Sequence, residues 1–327
     1  MTDPQSGEPG TTWVISTGDP AGSSPELLPA LLEARRSNER LLLVGPENVA
    51  DRLKLQLPRG NNRPPGKAAA YWWTSAPVKP EIIASGQPNA ASGKAALEAL
   101  RAAVKLVDLT GADGLLTLPL SKAAVQAAGQ EGFTGHTEFL ENHWETPGVM
   151  SFFGDRFNTA LLTRHIPLER VSSTLSIEKI VGRVKLVDRF FRKYEQKKPA
   201  LALLGLNPHA GEAGLLGTEE IRLLKPAVKR LQNFKINITG PHPSDSFMAV
   251  ASEEIDCFIA CYHDQALTPF KLVSFFTGIQ ATLGLPVLRV SPDHGVAADL
   301  AGTGKIDCRS SLNCLKWLRR WHRPRKR

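Results

Sequence analysis

Three histidines lie just after apolar segments of the sequence. His165 follows NTALLT, His209 follows ALALLGL and His263 follows DCFIACY. Imidazole is the commonest side-chain ligand of divalent transition metals, and in open α/β sheets ligands bind outside the carboxyl ends of the strands. Pro167 and Pro208 restrict the backbone beside two of these histidines. The pattern predicts either one metal site with positions open for substrate, or three separate loop histidines that form hydrogen bonds.

A second set of residues could bind an anion. In FTGHTEFL, Gly135 permits close approach, and His136 and Thr137 begin a predicted helix whose first N–H groups are free. Lys271 and Arg289 add fixed positive charge near the ends of other predicted strands, which suits a phosphate or a carboxylate. The alternatives are a simple threonine cap on a surface helix and two surface cations.

A glycine-rich segment near the C-terminus, SPDHGVAADLAGTGKID, could also approach a ligand. It contains His294, Gly295, Asp299, Gly302 and Gly304, and glycines let the backbone come close to a bound molecule. The alternative is a flexible loop. Neither GxGxxG after the first predicted strand nor GxxxxGK[ST] occurs in the sequence, so neither a Rossmann nor a P-loop site is predicted.

Short apolar segments alternate with helical patterns along the chain. Strands are predicted at 13–17, 41–45, 114–119, 158–163, 200–206, 256–262 and 286–290. Helices are predicted at 25–36 and at 92–107 with Ser92 as cap, and around residues 126, 140, 185, 225 and 315. This alternation predicts an α/β fold with a largely parallel sheet.

The composition limits the class of protein. A chain of 327 residues is long enough for two domains, and no apolar segment approaches the roughly 20 residues that span a bilayer. The first ten residues, MTDPQSGEPG, lack the features of a signal peptide. The four cysteines form no CxxC pair, which indicates thiols in a reducing cytoplasm.

The positive charge is concentrated at the C-terminus. The net charge is +8, but the last twelve residues carry seven cations and no acid, which leaves +1 for the rest of the chain. This distribution favours a solvated helix end over a nucleic-acid-binding arm.

Taken together, the motifs resemble those of the 4-hydroxythreonine-4-phosphate dehydrogenase family, NAD-dependent enzymes of pyridoxal phosphate biosynthesis. The resemblance extends from residue 16 to about residue 305, and its specificity lies in the joint occurrence of the motifs in order. The motifs are GDPAG-SPE, LPLSKAAV, FTGHTEFL, TRHIPL, GLNPHAGEAG-LGTEE, GPHPSDSF, YHDQAL-P-K, TLGLP-LR-S-DHG and DLAGTGK.

The resemblance implies an isocitrate/isopropylmalate dehydrogenase-like fold, with two α/β/α domains and a cleft between them. It also implies a homodimer with the active site at the subunit interface. We expect residues 11–130 and 285–315 to form a cofactor-side domain, and residues 131–284 to form a domain for metal, substrate and dimer contacts. Residues 1–10 are expected to be disordered, and residues 316–327 to form a basic tail.

The resemblance also assigns roles to individual residues. It implies a divalent metal (zinc, magnesium or cobalt) bound by three histidines, one of them from the partner subunit: His165, His209 and His263. The positions that match substrate contacts are His136, Thr137, Lys271, Gln280 and Arg289. The loop expected to bind NAD, or NADP, contributes His294, Gly295, Asp299 and Gly302, and the candidates for the base are Asp245 and Lys271.

The reaction implied is oxidation of 4-phosphohydroxy-L-threonine to 2-amino-3-oxo-4-phosphooxybutanoate, which decarboxylates to 3-amino-2-oxopropyl phosphate. The chain departs from the family pattern at four places: Ser23-Ser24, Gln280, Val290 and Val296. These departures leave open a sister dehydrogenase of phosphorylated four-carbon sugar acids such as 4-phosphothreonate or 4-phosphoerythronate. An acyl-phosphate transferase of related fold is a further alternative.

Overall fold

The protein was analysed as a computed structural model that describes residues 10–61, 68–75, 85–251 and 253–322. The N-terminal nine residues, most of the predicted polar loop at 58–66 and the last five residues lie outside this description. The chain divides into two compact units. Unit 1 comprises Met1–Leu140 and Val287–Arg327, and unit 2 comprises Glu141–Pro286.

The described residues contain twelve strands and eleven α-helices. The strands are β1 Thr11–Ser16, β2 Glu39–Gly45, β3 Arg59–Gly60, β4 Ala70–Thr74, β5 Gly114–Thr117, β6 Val149–Phe153, β7 Asn158–Leu161, β8 Leu201–Leu204, β9 Ile238–His242, β10 Cys257–Ala260, β11 Ile279–Leu283 and β12 Leu288–Pro292. The helices are α1 Leu28–Glu33, α2 Glu47–Arg52, α3 Ala90–Thr110, α4 Lys122–Ala127, α5 His136–Trp144, α6 Val171–Thr174, α7 Ile177–Phe190, α8 Lys225–Asn233, α9 Ser244–Val250, α10 His263–Ser274 and α11 Arg309–Trp321. The predicted α/β fold is confirmed.

Unit 1 is built on parallel strands in the order β3-β4-β2-β1-β5-β12. Its central strands are apolar and buried, as expected for a parallel sheet that is covered on both faces. Helix α3 begins two residues before the predicted start, because Asn89 rather than Ser92 is the cap. Ser92 completes a capping box: its backbone N–H donates to the Asn89 side chain, and its hydroxyl accepts from the Asn89 N–H.

Unit 2 has the strand order β11-β6-β7-β10-β8-β9. Strand β6 runs antiparallel to both β11 and β7, whereas β7, β10, β8 and β9 are mutually parallel. Neither β6 nor β11 was predicted. Four residues, Gly154 to Phe157, join β6 to β7, and such a short connection is possible only between antiparallel strands.

The beginning of the predicted basic tail forms the end of α11. Leu318 and Trp321 are completely buried there. Arg319 donates from Nε and from Nη2 to the two carboxylate oxygens of Glu39, each at 2.7 Å. Burial alone would raise the pKa of the Glu39 carboxyl. Hydrogen bonds from the Arg319 side chain, the Arg36 backbone N–H and the Trp13 side chain outweigh burial and lower the pKa to about 2. Residues 316–321 therefore belong to the packed structure of unit 1.

No helix among the described residues is both long enough and apolar enough to cross a bilayer.

Candidate active site

Two of the three predicted metal ligands lie side by side in unit 2. His165 follows β7 and His263 begins α10 immediately after β10, and β7 and β10 are parallel neighbours. The two imidazole rings have centroids 5.4 Å apart. The hydroxyl of Thr163 donates to the carbonyl of Cys261 at 2.7 Å. Each of these residues precedes its histidine by two positions, so this bond holds the two strand ends together.

A carboxylate orients the ring of His263, and an ion pair anchors the backbone beside His165. His263 Nδ1 lies 2.6 Å from a carboxylate oxygen of Asp264, which leaves Nε2 as the ring nitrogen for a metal. His165 has a left-handed backbone, with φ +47°, a conformation that costs free energy in residues other than glycine. Arg164, the preceding residue, forms an ion pair with Glu141. That pair anchors the chain next to the strained residue.

His209 lies on an unusual loop after β8. Five consecutive residues from His209 to Ala213 have positive φ angles between 41° and 79°. Glu220, which is 1% exposed, forms hydrogen bonds with the backbone at the start of the loop. One of its carboxylate oxygens accepts hydrogen bonds from the backbone N–H groups of Leu206 and Asn207, both at 2.8 Å. His209 itself is exposed.

Gln265 connects the strand ends that precede His263 and His209. Its side-chain oxygen accepts from the N–H of Cys261 at 2.7 Å, and its side-chain NH₂ donates to the carbonyl of Gly205 at 2.6 Å. The side chain is buried, so both ends of the amide are used where water is excluded. Gln265 therefore fixes the spacing between the ends of β10 and β8.

The described residues do not bring a complete set of metal ligands together. Among the residues that the structure describes, no group of three His, Cys, Asp or Glu side chains could hold a metal ion. The histidine pair nevertheless suits a divalent transition metal, because two imidazoles face one space and one of them is oriented by a carboxylate. The adjoining cavity of about 300 Å³ is lined by Thr163, His165, Ile166, Leu168, Val171, Tyr262, His263 and Asp264.

A cationic cluster in unit 1 contains two of the predicted substrate residues, His136 and Arg289, together with Lys122. Arg289 on β12 is 3% exposed and donates to the hydroxyl of Thr117 at 2.6 Å. Thr117 ends β5, the parallel neighbour of β12, so the sheet itself sets this contact. Burial lowers the pKa of the Arg289 guanidinium to about 10, which leaves it protonated at neutral pH.

His136 is held neutral beside two positive charges. Burial is the main reason that its pKa lies well below the ordinary value, and the charges of Arg289 and Lys122 lower the pKa further. Its Nε2 is buried without a hydrogen-bond partner among the described residues. A side chain on Gly135 would approach the Lys122 Cε to 3.4 Å and a Glu138 carboxylate oxygen to 3.1 Å. Glycine at 135 therefore keeps the space around these groups open.

The remaining predicted substrate residues are distributed over both units. Thr137 is buried in α5 of unit 1. In unit 2, Gln280 on β11 is buried, and its NH₂ group donates to Thr282 Oγ1 at 3.2 Å. Lys271 on α10 holds its Nζ 5.5 Å from the ring centroid of Phe275.

The candidate base Asp245 lines a different cavity from the histidine pair. That cavity, of about 440 Å³, is also lined by Arg156, Tyr262 and Gln265. Tyr262 lines both cavities.

The glycine loop of residues 293–305 contains the four predicted cofactor residues. His294 Nδ1 lies 2.8 Å from the carbonyl of Gly295, and Asp299 is exposed in the short 3₁₀ helix Ala298–Leu300. Gly302 has φ +80°. Ser23, a departure from the family pattern, donates from both its N–H and its hydroxyl to the Val296 carbonyl at 3.0 Å.

Several residues of these clusters were not predicted. Lys122 was present in the motif LPLSKAAV directly after a predicted strand, and that position could have identified it. Thr163, Glu220 and Gln265 also lie in the quoted motifs TRHIPL, GLNPHAGEAG-LGTEE and YHDQAL-P-K, but no residue pattern shows what they contact. The contacts of Thr117, Thr163 and Gln265 depend on which strands are neighbours.

The family model described as "Pyridoxal phosphate biosynthetic protein PdxA" matches residues 38–318. The chain belongs to this family. A 4-hydroxythreonine-4-phosphate dehydrogenase from Xanthobacter autotrophicus is 37% identical over 326 residues, which cover 94% of this chain and 92% of the relative. The family suggested by the sequence motifs is therefore confirmed.

Solved structures agree with this assignment. The crystal structure of a 4-hydroxythreonine-4-phosphate dehydrogenase from Klebsiella pneumoniae matches with a TM-score of 0.79 and 31% identity, and covers 94% of this chain and 96% of its own. A terephthalate 1,2-cis-dihydrodiol dehydrogenase from Burkholderia xenovorans matches with a TM-score of 0.67 and 25% identity, over 94% and 97% of the two chains. The fold thus occurs in dehydrogenases whose names state different substrates.

Proposed function

We propose that this chain oxidises the 3-hydroxyl of 4-phosphohydroxy-L-threonine with NAD and a divalent metal. The product is 2-amino-3-oxo-4-phosphooxybutanoate, which decarboxylates to 3-amino-2-oxopropyl phosphate. The observation that carries the proposal is the adjacent pair of His165 and His263, with His263 oriented by Asp264, in a chain of the PdxA family. The names of the curated relatives support an oxidoreductase that acts on a CH–OH group.

The cationic cluster is proposed to bind the phosphate of the substrate. Arg289 keeps its charge at neutral pH, and its planar fork can donate two hydrogen bonds to one anion. His136 is neutral, so one ring nitrogen can donate to a phosphate oxygen and the other can accept. Lys122 adds a second full positive charge to the same cluster.

The histidine pair is proposed to hold the metal. A metal held there would supply Lewis-acid chemistry that lowers the pKa of a coordinated hydroxyl, and a bound nicotinamide would supply the hydride acceptor. The chain supplies orientation: Asp264 fixes the His263 ring, while Thr163 and Gln265 fix the strand ends. Asp245 and Lys271 are proposed as alternative acceptors of the hydroxyl proton.

We propose further that His209 completes the metal site of the partner subunit in a homodimer. The support is that His209 is exposed and that no three candidate ligands group together in the described part of one chain. In a mixture of His209→Ala and His263→Ala subunits, one site of each mixed dimer would keep all three histidines. Random reassociation should then restore about one quarter of wild-type activity. If all three ligands come from one chain, mixing will restore nothing.

The proposed reaction is tested by NADH formation with purified protein. The substrates to compare are 4-phosphohydroxythreonine and 4-phosphothreonate, each with NAD and with NADP, before and after removal of metal by chelation. We expect NAD-dependent turnover of 4-phosphohydroxythreonine that chelation abolishes and that Zn²⁺, Co²⁺ or Mg²⁺ restores. Full activity in verified metal-free protein would contradict the metal proposal.

The same assay decides the alternative substrate. Gln280 stands on a buried strand and is a departure from the family pattern, so it is the residue that favours a sister dehydrogenase of phosphorylated sugar acids. A kcat/KM that is higher for 4-phosphothreonate would establish that alternative. In that case Gln280→Asn should move the ranking of the two substrates toward 4-phosphohydroxythreonine.

A further inference from the structure

Glu26 binds the glycine loop through its carboxylate. The residue lies in the short 3₁₀ helix Ser24–Leu27, and its two carboxylate oxygens accept hydrogen bonds from two backbone N–H groups of the loop. The N–H of Gly302 donates to Oε1 at 2.5 Å, and the N–H of Gly304 donates to Oε2 at 3.0 Å. Glu26 and Gly302 are 276 positions apart in the sequence, so this is a long-range tertiary contact.

The two N–H groups form a small anion-binding turn. Gly302 has φ +80° and Gly304 has φ +67°, a conformation that glycine adopts without strain. Backbone N–H groups that converge in such turns form concavities that attract anions. In this chain, the anion in the turn is the carboxylate of Glu26.

A second contact holds the other half of the same loop. Ser23 donates twice to the Val296 carbonyl, as described above, so residues 23 and 26 together hold positions 296, 302 and 304. The charge of Arg52 faces Glu26, and the Arg52 guanidinium also donates to the carbonyl of Pro20 at 2.9 Å. Glu26 is therefore fixed in a charged environment rather than extended freely into solvent.

We propose that Glu26 is a positioning residue that gives the loop of residues 293–305 its cofactor-binding shape before the cofactor binds. The inference rests on the proposed function, in which this loop contacts NAD. Without the carboxylate, the exposed turn would be hydrogen-bonded to water and would populate other conformations. NAD would then have to order the loop as it binds. The apparent affinity for NAD would fall in proportion to the decrease in the fraction of molecules in which the loop already has its binding conformation.

The test uses three variants of the full-length protein. Glu26→Ala removes both acceptors, and Glu26→Gln keeps one acceptor without the charge. Glu33→Ala is the matched control, because it removes the same charge from an exposed position on neighbouring α1. Two quantities are measured: amide hydrogen exchange at Gly302 and Gly304 without cofactor, and the dissociation constant of NAD by calorimetry.

In Glu26→Ala, exchange at both glycines should become roughly tenfold faster and NAD should bind roughly tenfold more weakly, as expected for the loss of charge-assisted hydrogen bonds. Glu26→Gln should be intermediate on both measures, and Glu33→Ala should equal wild type. At saturating NAD, the kcat of Glu26→Ala should match wild type while the KM for NAD rises.

Three outcomes would overturn the proposal. One is unchanged exchange in Glu26→Ala, another is faster exchange with unchanged NAD affinity, and the third is an equal effect of Glu33→Ala. Failure of the proposed function looks different: the wild-type protein would then not bind NAD at all, and the role assigned to Glu26 in cofactor binding would be overturned as well. The exchange rates would still report whether Glu26 orders the loop.

Discussion

The cationic cluster of unit 1 and the histidine pair of unit 2 are built in different ways. The cluster has its charged groups within one chain, and its central guanidinium is buried and bound to a side chain of the next strand. The histidine pair instead depends on bonds to backbone groups at the strand ends, and the described part of the chain supplies no third ligand beside it. The groups of the cationic cluster thus come together within one chain, whereas the proposed metal site would require a further ligand.

The cationic cluster must compensate the free-energy cost of removing charged side chains from water. A buried guanidinium keeps its charge where hydrogen bonds compensate the loss of water, and Thr117 supplies one such bond. The histidine pair lines a cavity at the ends of β7 and β10, where the proposed third ligand could approach. The four predictions below test this contrast, from the largest expected effect to the smallest.

The largest effect is expected from loss of a histidine ligand. His263→Ala should lower turnover by at least about a thousandfold, since the proposed metal would contribute several kcal/mol to stabilising the developing charge. Its metal content after dialysis should fall as well. His143→Ala, at an exposed position of α5, is the control and should retain both properties. Near-normal activity of His263→Ala would remove the histidine pair from the mechanism.

The next effect concerns the cationic cluster. Arg289→Lys keeps the charge but loses the planar fork, so kcat/KM for the phosphorylated substrate should fall by roughly ten- to a hundredfold. Metal content should stay normal, which separates this cluster from the histidine pair. Arg309→Lys, an exposed arginine paired with Asp307, should change neither quantity. An Arg289→Lys enzyme equal to wild type would mean that Arg289 does not contact the substrate.

A smaller effect is expected from loss of the Gln265 hydrogen bonds at the strand ends that precede His263 and His209. Gln265→Leu removes both bonds that link the ends of β10 and β8, so the affinity for metal should weaken roughly tenfold, at the low end for outer-shell partners. Cobalt titration followed by its visible absorption measures this directly. Gln232→Leu is the control, because it also removes a side-chain bond to a backbone carbonyl in unit 2. Equal cobalt affinity in the two variants would reduce Gln265 to a structural role.

The sequence could predict where the histidines lie along the chain, but not which of them meet. His165, His209 and His263 follow apolar segments, and that much is visible in the residues. The pairing of His165 with His263 follows from the adjacency of β7 and β10, which no periodicity encodes. The antiparallel β6 was also missed, although its five residues are apolar apart from Ser151, like the residues of the strands that were predicted.

The smallest effect concerns the stability of the protein in acid. It depends on Glu39, a buried carboxylate of unit 1 that is paired with Arg319. The pKa of Glu39 is about 2 in the folded protein and 4.5 ordinarily, so its stabilising contribution is present above pH 4.5 and is lost as the pH falls toward 2. In Glu39→Gln, urea unfolding should show lower stability at pH 6 and a smaller loss between pH 5 and pH 3 than in wild type. Glu33→Gln, at an exposed site, should keep the wild-type dependence, and an unchanged slope in Glu39→Gln would mean that the Arg319 pair does not set the acid stability of unit 1.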